Sequence, residues 1–480
     1  MTASSPRAPR LLSAALLGIA SGAILVPLNS TMLAVALPGV MGDFGLGANQ
    51  VSSLVTLYLG AVAVALPVGG SIGDRYGHRP AFLAGVLLFA VASAVAAIAT
   101  SFELLEVSRV GQAMSGALIS TSSAALVRET APAERQGEAF GLFDLLVSTS
   151  AAIGPFVGGL VVGGFGWRSL FVLAVPLGII AAAFVGLRLR PEPAQHLAAA
   201  RRAAVPIDWP GLALLALTIV AFLVALRSDG GPFGTTATIA IVPLAAVFVW
   251  VELRRERPAV DPRLFVNRPF AAALLGVFGS TVILHGTFIL VPLAVEELLH
   301  QSATTSGIAL LGIAGVAAVV APFGGRLSDR RGRRLLVVTG AAISAAGLTA
   351  LAIPGVTGSV AGIAILLGFV GFGNGLTSPR QAAAFESVER SRVGMAAGTY
   401  YTGRYLGGVV GASVAGALLG AQVTASGVSN GFTVLAAVGI GVALVSLGLR
   451  GRPAGAATVG AVPPASPPSP PSPASPASPA

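Results

Sequence analysis

Cysteine and lysine are both absent from this 480-residue chain. The lack of cysteine excludes disulfides, thiolate metal sites and cysteine nucleophiles. Charge is scarce as well: charged residues make up 10% of the chain, whereas a soluble protein carries roughly a quarter. Of the residues, 54% are hydrophobic, and the mean hydropathy is +0.85. This composition predicts an integral membrane protein.

The apolar residues are grouped into long segments joined by short loops. A membrane-spanning helix needs about 20 mostly apolar residues. Fourteen such segments, numbered spans 1 to 14, are predicted near residues 12–37, 51–71, 81–100, 104–126, 139–162, 168–187, 207–227, 234–252, 270–293, 304–324, 335–353, 358–378, 394–420 and 430–449. The Pro-, Ser- and Ala-rich residues 453–480 are predicted to form a disordered tail.

The arginines are distributed unevenly between the loops. If the N-terminus is cytoplasmic, only Arg168 and Arg227 lie near outer loops, while Arg109 and Arg404 lie within spans. Cytoplasmic loops of membrane proteins carry an excess of basic residues. The distribution therefore predicts a multi-pass protein of the bacterial inner membrane with both termini in the cytoplasm. It also explains the net charge of +10 without a nucleic-acid partner.

One charged loop sequence occurs twice. GSIGDRYGHR at Gly70–Arg79 and GRLSDRRGRR at Gly325–Arg334 lie 255 residues apart. The repeat predicts an all-α fold with two six-helix bundles, residues 1–190 and 270–452, and two additional helices in the linker 191–269. Internal repeats of this kind are typical of secondary transporters.

The loop motif is predicted to act as a gate at the inner face. Gly70 and Gly77 allow a tight turn and close helix approach. Asp74 ends span 2 and can accept hydrogen bonds from a neighbouring helix N-terminus, while Arg75 and Arg79 can pair with carboxylates. An ordinary positively charged turn is the alternative. The second copy has Asp329 and Arg330 at the equivalent positions.

Span 4 contains polar residues that an apolar span normally excludes. Arg109 and Gln112 occur in RVGQAMSGA, and Glu106 lies on the same helix face as Arg109. An arginine inside a span costs about 3 kcal/mol on insertion scales and usually faces a polar cavity. Alternatively, Arg109 snorkels to the outer surface. Glu106 is either its partner or a residue of the outer interface.

Span 5 contains Gly154, Pro155, Gly158 and Gly159 in the sequence GPFVGG. Small residues allow helices to pack closely, and proline bends a span. The pattern predicts either a specialised helix contact or ordinary glycine-mediated packing.

These motifs resemble those of the major facilitator superfamily, and within it the fourteen-span drug:proton antiporters. The loop resembles the family's gate motif GxxxDRxGRR, the span 4 sequence resembles RxxQGxGAA, and GPFVGG resembles the antiporter motif GPxxGG. The resemblance covers spans 1–14. It implies a monomer without cofactor that exports hydrophobic or amphipathic drugs in exchange for protons. It also implies that Asp74 caps span 13 near Gly394 when the protein is open to the outside, and that Arg109 tunes a proton-binding carboxylate.

Span 1 departs from the family pattern. LNSTMLAVALP resembles LDxTIVNVALP, but Asn29 replaces the acid. Asn29 can hydrogen-bond a substrate but cannot titrate. Asp144 in span 5 is the best candidate for a proton carrier, with pairing to a cytoplasmic arginine near the interface as the alternative. His285 in span 9 is a second titratable candidate, and a hydrogen-bonded packing histidine is the alternative there. Arg404, in a sequence resembling the family's RQLGG, is predicted to line the substrate cavity or to brace span 13.

Two other functions remain open at this stage. The missing acid in span 1 favours a metabolite exporter or uniporter without proton coupling. A membrane sensor or enzyme without transport is disfavoured, because the loops are short and the 4 histidines show no paired spacing for metal ligands. No enzyme activity and no metal are predicted.

Overall fold

The computed structural model describes residues 14–131, 136–189, 208–227, 232–255, 258, 262–376, 378–389 and 393–449. This part of the chain consists of helices and connecting turns and contains no strand. The predicted tail and the boundary near residue 190 lie outside it. The helices at the fourteen predicted positions are Ala14–Met32 continued by Leu37–Phe44, Ala48–Val51 continued by Ser53–Tyr76, His78–Ala97, Phe102–Thr130, Gln136–Phe165, Arg168–Arg188, Trp209–Arg227, Pro232–Arg254, Arg268–Leu293, Ala303–Arg331, Arg333–Leu351, Val360–Gly375, Val393–Leu419 and Ala425–Ser446.

The helices have the length and composition of membrane spans. Ten described helices are long and apolar enough to cross a membrane, and spans 7 and 12 contain shorter apolar stretches. Spans 4 and 13 each contain an arginine well inside the helix, Arg109 and Arg404. The protein is therefore a multi-pass membrane protein.

The observed helices differ from the predicted segments at several ends. Span 1 reaches Phe44 rather than residue 37, because a 3-10 turn at Leu33–Ala36 keeps the chain helical. A helix at Ser378–Glu386 between spans 12 and 13 was not predicted, since it is short and nearly half of its residues are polar or charged. A 3-10 turn at Pro262–Val266 precedes span 9.

The packing of the helices repeats with the sequence. In the first half, span 1 packs against spans 5 and 6, span 3 against spans 4 and 6, and span 2 against span 4. In the second half, span 9 packs against spans 13 and 14, span 11 against spans 12 and 14, and span 10 against span 12. Each pair in one half has its equivalent in the other, so the two six-helix bundles share one architecture.

The bundles meet along two equivalent contacts, span 5 with span 10 and span 2 with span 13. Spans 7 and 8 pack against each other, and span 7 also contacts spans 2 and 13. Two names describe the ends of the bundle. The motif end is the end at which the loops after Tyr76 and Arg331 lie, and the opposite end is the end at which Gly166 and Gly420 lie.

The outside of the bundle is apolar. In span 3, Phe82 and Phe89 are buried against other helices, whereas Leu87, Leu88 and Val91 are exposed. A row of exposed leucine and valine on one helix face is suited to contact with lipid. The interior accordingly contains most of the polar side chains of the spans.

Candidate functional site

A cavity of about 320 Å³ lies between the two bundles. It extends from Phe288 and Leu310, in the parts of spans 9 and 10 nearer the opposite end, to Gln381 at the motif end. Hydroxyl, amide and guanidinium groups alternate with apolar side chains on its walls. The lining residues are Thr31, Ser148, Ala151, Ala152, Pro155, Val277, Ser280, Thr281, Leu284, Phe288, Leu310, Ile313, Ala314, Ala317, Asn374, Gln381, Tyr400 and Arg404.

Beyond the cavity, at the opposite end, spans 5 and 10 are in close backbone contact. A Cβ atom built on Gly159 would lie 2.6 Å from the carbonyl oxygen of Ala303 and 3.2 Å from the Cα atoms of Thr304 and Gly307. The Thr304 hydroxyl donates a hydrogen bond to the Gly159 carbonyl at 3.0 Å. Only glycine permits this approach, so the second half of the GPFVGG motif closes the opposite end.

Gly154 and Gly158 of that motif pack against span 1. A Cβ atom on Gly154 would overlap the Thr31 hydroxyl, and one on Gly158 would lie 3.0 Å from backbone atoms of Met32. Pro155, between them, lines the cavity. The motif thus joins span 5 to span 1 within its own bundle and to span 10 in the other.

The equivalent contact between spans 2 and 13 also lies toward the opposite end. The backbone N–H of Asn49 donates a hydrogen bond to the Gly420 carbonyl at 3.1 Å. A Cβ atom on Gly416 would overlap the Ser52 side chain. Both inter-bundle contacts therefore lie on the same side of the cavity.

Arg109 is fully buried in a polar cluster inside the first bundle. Its Nη1 donates to the Asn29 and Gln112 side-chain oxygens at 2.7 Å each, and its Nε donates to the Leu54 carbonyl at 3.4 Å. Its Cζ lies 4.2 Å from the ring centroid of Tyr58. Among the residues that the structure describes, the partners of this guanidinium are thus all neutral, although buried charges are usually paired.

A neighbouring hydroxyl extends the cluster to span 3. Gln112 Nε2 donates to Ser93 Oγ at 2.7 Å, and Ser93 in turn donates to the Phe89 carbonyl at 2.7 Å. The cluster therefore links spans 1, 2, 3 and 4. Asn29 and Gln112 belong to it and are not among the cavity-lining residues.

The other titratable residues singled out from the sequence lie apart from one another. Glu106 accepts a hydrogen bond from Ser53 of span 2 rather than from Arg109. His285 Nδ1 lies 3.1 Å from the Thr281 carbonyl oxygen, and its ring packs edge-on against the cavity-lining Phe288, although His285 itself is not among the lining residues. The side chain of Asp144 lies outside the described residues, although its helix, span 5, is described.

Arg404 lies midway along span 13 and is exposed to the cavity. Its backbone carbonyl accepts a hydrogen bond from the Thr281 hydroxyl at 2.8 Å, which fixes span 13 against span 9. Among the described residues, nothing accepts a hydrogen bond from its guanidinium. The residue thus places a positive charge on the cavity wall.

The two gate loops have the same backbone geometry. Gly77 has φ 97° and ψ 143°, and the equivalent Gly332 has φ 86° and ψ 145°. These conformations favour glycine, and each separates two consecutive spans. A Cβ atom built on Gly70 would meet no atom within 4 Å, so close helix approach does not require glycine at this position.

In the described part of the chain, the partners found for the charged groups of the first gate loop belong to the first bundle. The Asp74 carboxylate is exposed and lies 3.5 Å from His78 Nε2. Arg75 lies over the Tyr76 ring. Arg79 donates to the carbonyls at the end of span 6, with Nη2 2.8 Å from Gly186 and Nε 3.0 Å from Leu189.

In the second gate loop, the side chains of Asp329 and Arg330 lie outside the described residues. Arg333 donates two hydrogen bonds to the Glu386 carboxylate, one of them at 2.8 Å. These bonds lower the pKa of Glu386. The unpredicted helix Ser378–Glu386 is thereby fixed to the gate loop.

Sequence reasoning missed Arg380, which is buried behind the cavity. Its Nη1 donates to the Gly276 carbonyl and to Ser280 Oγ, at 2.7 Å each. An arginine next to the end of a predicted span is usually read as a topology signal, so nothing in the sequence pattern indicated that Arg380 is buried. Tyr58 and Ser93 were also missed, because their roles depend on how spans 2 and 3 pack on span 4.

Two similar six-helix bundles around a central cavity that is closed at one end define a membrane transporter. The sequence pattern of the Major Facilitator Superfamily matches residues 19–412 and 275–477, and the chain belongs to this family.

Known proteins agree with this assignment. The uncharacterized MFS-type transporter YwoD of Bacillus subtilis (strain 168) is 32% identical over 414 residues, which cover 86% of this chain and 91% of YwoD. The tetracenomycin C resistance and export protein of Streptomyces glaucescens is 30% identical over 417 residues, or 85% of this chain and 76% of the relative. The crystal structure of a D-xylose-proton symporter shares the fold, with a TM-score of 0.64 at 14% identity over 90% of this chain and 96% of the symporter.

Proposed function

We propose that this protein exports hydrophobic or amphipathic compounds, drugs and antibiotics among them, in exchange for protons. In this view it is a member of the fourteen-span drug:proton antiporters. The observation that carries the proposal is a cavity that reaches toward the motif end while both inter-bundle contacts close the opposite end. A relative named as a resistance and export protein supports the direction of transport.

The orientation of the chain completes the argument. We infer from the arginine distribution that the motif end faces the cytoplasm. The structure then corresponds to an inward-open state, in which compounds enter the cavity from the cytoplasm or the inner leaflet. Export requires the bundles to separate at Gly159 and to close at the gate loops, where Asp74 would cap span 13.

Proton coupling needs a group that titrates during this cycle. In the family pattern, Arg109 tunes a proton-binding carboxylate. Here Arg109 Nη1 donates to the neutral side-chain oxygens of Asn29 and Gln112 instead, so Asn29 does not supply that carboxylate. Glu106 lies toward the opposite end, bonded to Ser53, and His285 packs between helices. We therefore assign the proton to Asp144, which shares a helix with the cavity residues Ser148 and Ala151.

One observation favours a second function, a metabolite exporter or uniporter of the same fold without proton coupling. The Asn29 side-chain oxygen is held 2.7 Å from Arg109 Nη1, so this donor is bonded to a neutral acceptor rather than to a carboxylate that could gain or lose a proton. Transport would then be driven by the substrate gradient or by the membrane potential.

The test is substrate-driven proton movement in proteoliposomes that contain the purified protein and a pH-sensitive dye. Ethidium and a panel of lipophilic dyes serve as probes. Antiport predicts that probe flux acidifies or alkalinises the lumen and that Asp144→Asn abolishes the proton signal. Glu103→Gln, which removes an exposed carboxylate at the start of span 4, should leave the signal unchanged.

Three other results would contradict parts of the proposal. Probe flux without proton movement would establish the uniporter. A proton signal that survives Asp144→Asn would show that another group carries the proton. Cellular drug content that changes neither on deletion nor on overexpression, together with no flux in proteoliposomes, would indicate a sensor or other protein that does not transport.

A further inference from the structure

In the described part of the chain, the wall of the cavity carries only positive charge. Of the described lining residues, Arg404 alone is charged, and the others are apolar or neutral polar. The arginine side chain carries a permanent positive charge and five hydrogen-bond donors. A cation in a partly desolvated cavity is unfavourable unless an anion or several acceptors meet it. The described protein provides no such partner for the Arg404 guanidinium.

A second arginine polarises the same wall from behind. Arg380 is 2% exposed and donates to Ser280 Oγ, while its Nε is buried without a hydrogen-bond partner among the described residues. Because Ser280 Oγ accepts this charge-assisted bond, its own hydrogen is available to the cavity that it lines. A hydroxyl that accepts from a cation becomes a better donor. Ser280 therefore presents a donor on the wall that also holds Arg404.

The facing wall has a different character. Spans 1, 5 and 10 contribute mainly apolar surface, including Pro155 and Leu310, together with the hydroxyls of Thr31 and Ser148. The Thr31 hydroxyl there is engaged with carbonyls of its own helix, at 2.9 Å from that of Pro27. One side of the cavity thus offers donors and positive charge, and the other offers apolar contact.

Building on the proposed export function, we infer that the preferred substrates are compact amphipathic acids whose anionic group binds Arg404 and the Ser280 hydroxyl. The apolar part of such a molecule lies against spans 5 and 10. The volume of about 320 Å³ is at the lower end of the range for small-molecule sites, which fits a compact ligand.

A matched pair of probes tests the charge requirement. Dansyl-phenylalanine is an amphipathic acid, and its methyl ester has nearly the same shape without the charge; ethidium provides a cation. Binding to the purified protein is followed by dansyl or ethidium fluorescence, and export by efflux from loaded cells. The acid should bind at least about tenfold more tightly than the ester, as expected for a hydrogen bond to a charged group.

Single substitutions show which side chains produce the preference for the acid over the ester. Arg404→Gln should reduce the affinity for the acid by about tenfold or more and leave the ester unchanged, whereas Arg404→Lys should retain part of the preference. Ser280→Ala should weaken acid binding by about fivefold. Arg268→Gln removes an exposed arginine at the motif end of span 9 and should change nothing. Thermal unfolding of each variant shows whether the protein remains folded.

The contradicting results are distinct from failure of the export function. If ethidium or the ester is exported but the acid is neither bound nor exported, the protein is an exporter and the inference is wrong. Equal losses for all three probes in Arg404→Gln would also overturn it, because the residue would then act only on structure. The variant Asp144→Asn tests whether the acidic residue of span 5 binds cations instead. If this variant no longer binds ethidium, and the parent protein does not bind the acid, the cavity is a site for cations. If no probe is bound or exported, both the function and the inference fail.

Discussion

A methyl group added at Gly159 should shift the protein away from the state seen in this structure. In Gly159→Ala the new Cβ atom would lie 2.6 Å from the Ala303 carbonyl oxygen, about 0.8 Å short of ordinary van der Waals contact. The nearest atoms belong to the backbone of span 10, so no side chain can rotate away. Spans 5 and 10 must separate at the opposite end, or the helices must distort.

The expected magnitude follows from overpacking. Extra methyl groups in well-packed interiors cost about 1–3 kcal/mol. The penalty applies only to the closed opposite end, because spans 5 and 10 move apart when that end opens. The population of the open form should therefore rise by about 5- to 150-fold. Gly164→Ala, five residues further along the same helix, is the matched control, since its Cβ atom meets no atom within 4 Å.

Thiol labelling can measure this shift without removing native cysteines first, because the chain contains none. Leu310→Cys places a single thiol on the cavity wall, at a position that is 1% exposed. A membrane-impermeant maleimide added to intact cells reaches it only when the opposite end opens. Labelling should be much faster in the Gly159→Ala background than in the Gly164→Ala background. Equal labelling rates in the two backgrounds would refute the assignment of Gly159 to the closure.

Three further predictions concern stability, measured as thermal unfolding in detergent. Asn29→Ala should cost about 1–3 kcal/mol, because a buried guanidinium donor of span 4 loses its acceptor, whereas Asn29→Asp keeps an acceptor and should retain stability. Gly77→Ala should cost about 1–3 kcal/mol owing to its φ of 97°, while Gly70→Ala, in the helix that precedes the loop, should not destabilise the protein; equal losses would contradict the backbone argument. Glu386→Gln should remove at most about 1 kcal/mol at pH 7, since the carboxylate is largely exposed. Arg333 lowers the pKa of Glu386, so this contribution is complete above the carboxyl's unfolded pKa of 4.5 and is lost as pH falls through the lowered value; a difference that persisted in acid would exclude the ion pair as its cause.

Hydropathy was enough to predict the membrane-spanning helices, because each helix must satisfy its own backbone hydrogen bonds in lipid and its length is therefore visible as an apolar run. Their grouping into two bundles was predicted from the repeated loop sequence instead. The same rule fails where a helix does not cross the membrane. Ser378–Glu386 is polar and only 9 residues long, so no apolar run marked it. The end of span 1 was misplaced for a related reason: the turn at Leu33–Ala36 leaves no trace in hydropathy.

The candidate site was only partly accessible from the sequence. Arg109, Gln112 and Asn29 stood out because polar residues in an apolar span are costly, and the structure places them in one cluster. Their further partners, and the burial of Arg380, depend on the angles at which helices cross, which no single-helix pattern contains. The roles proposed for Asp144 and His285 stay predictions, since position along a helix does not by itself establish titration.

The contact between spans 5 and 10 is made largely of backbone, and this affects how fast the cycle can run. Glycine and alanine have no rotamers to lose, so re-forming the contact at Gly159, Ala303 and Gly307 costs no side-chain entropy there. An interdigitated contact between long side chains would have to recover one combination of rotamers at every turnover. A closure built from bare helix backbone can instead separate and rejoin with little search, which suits a surface that must open and close each time one molecule is carried across.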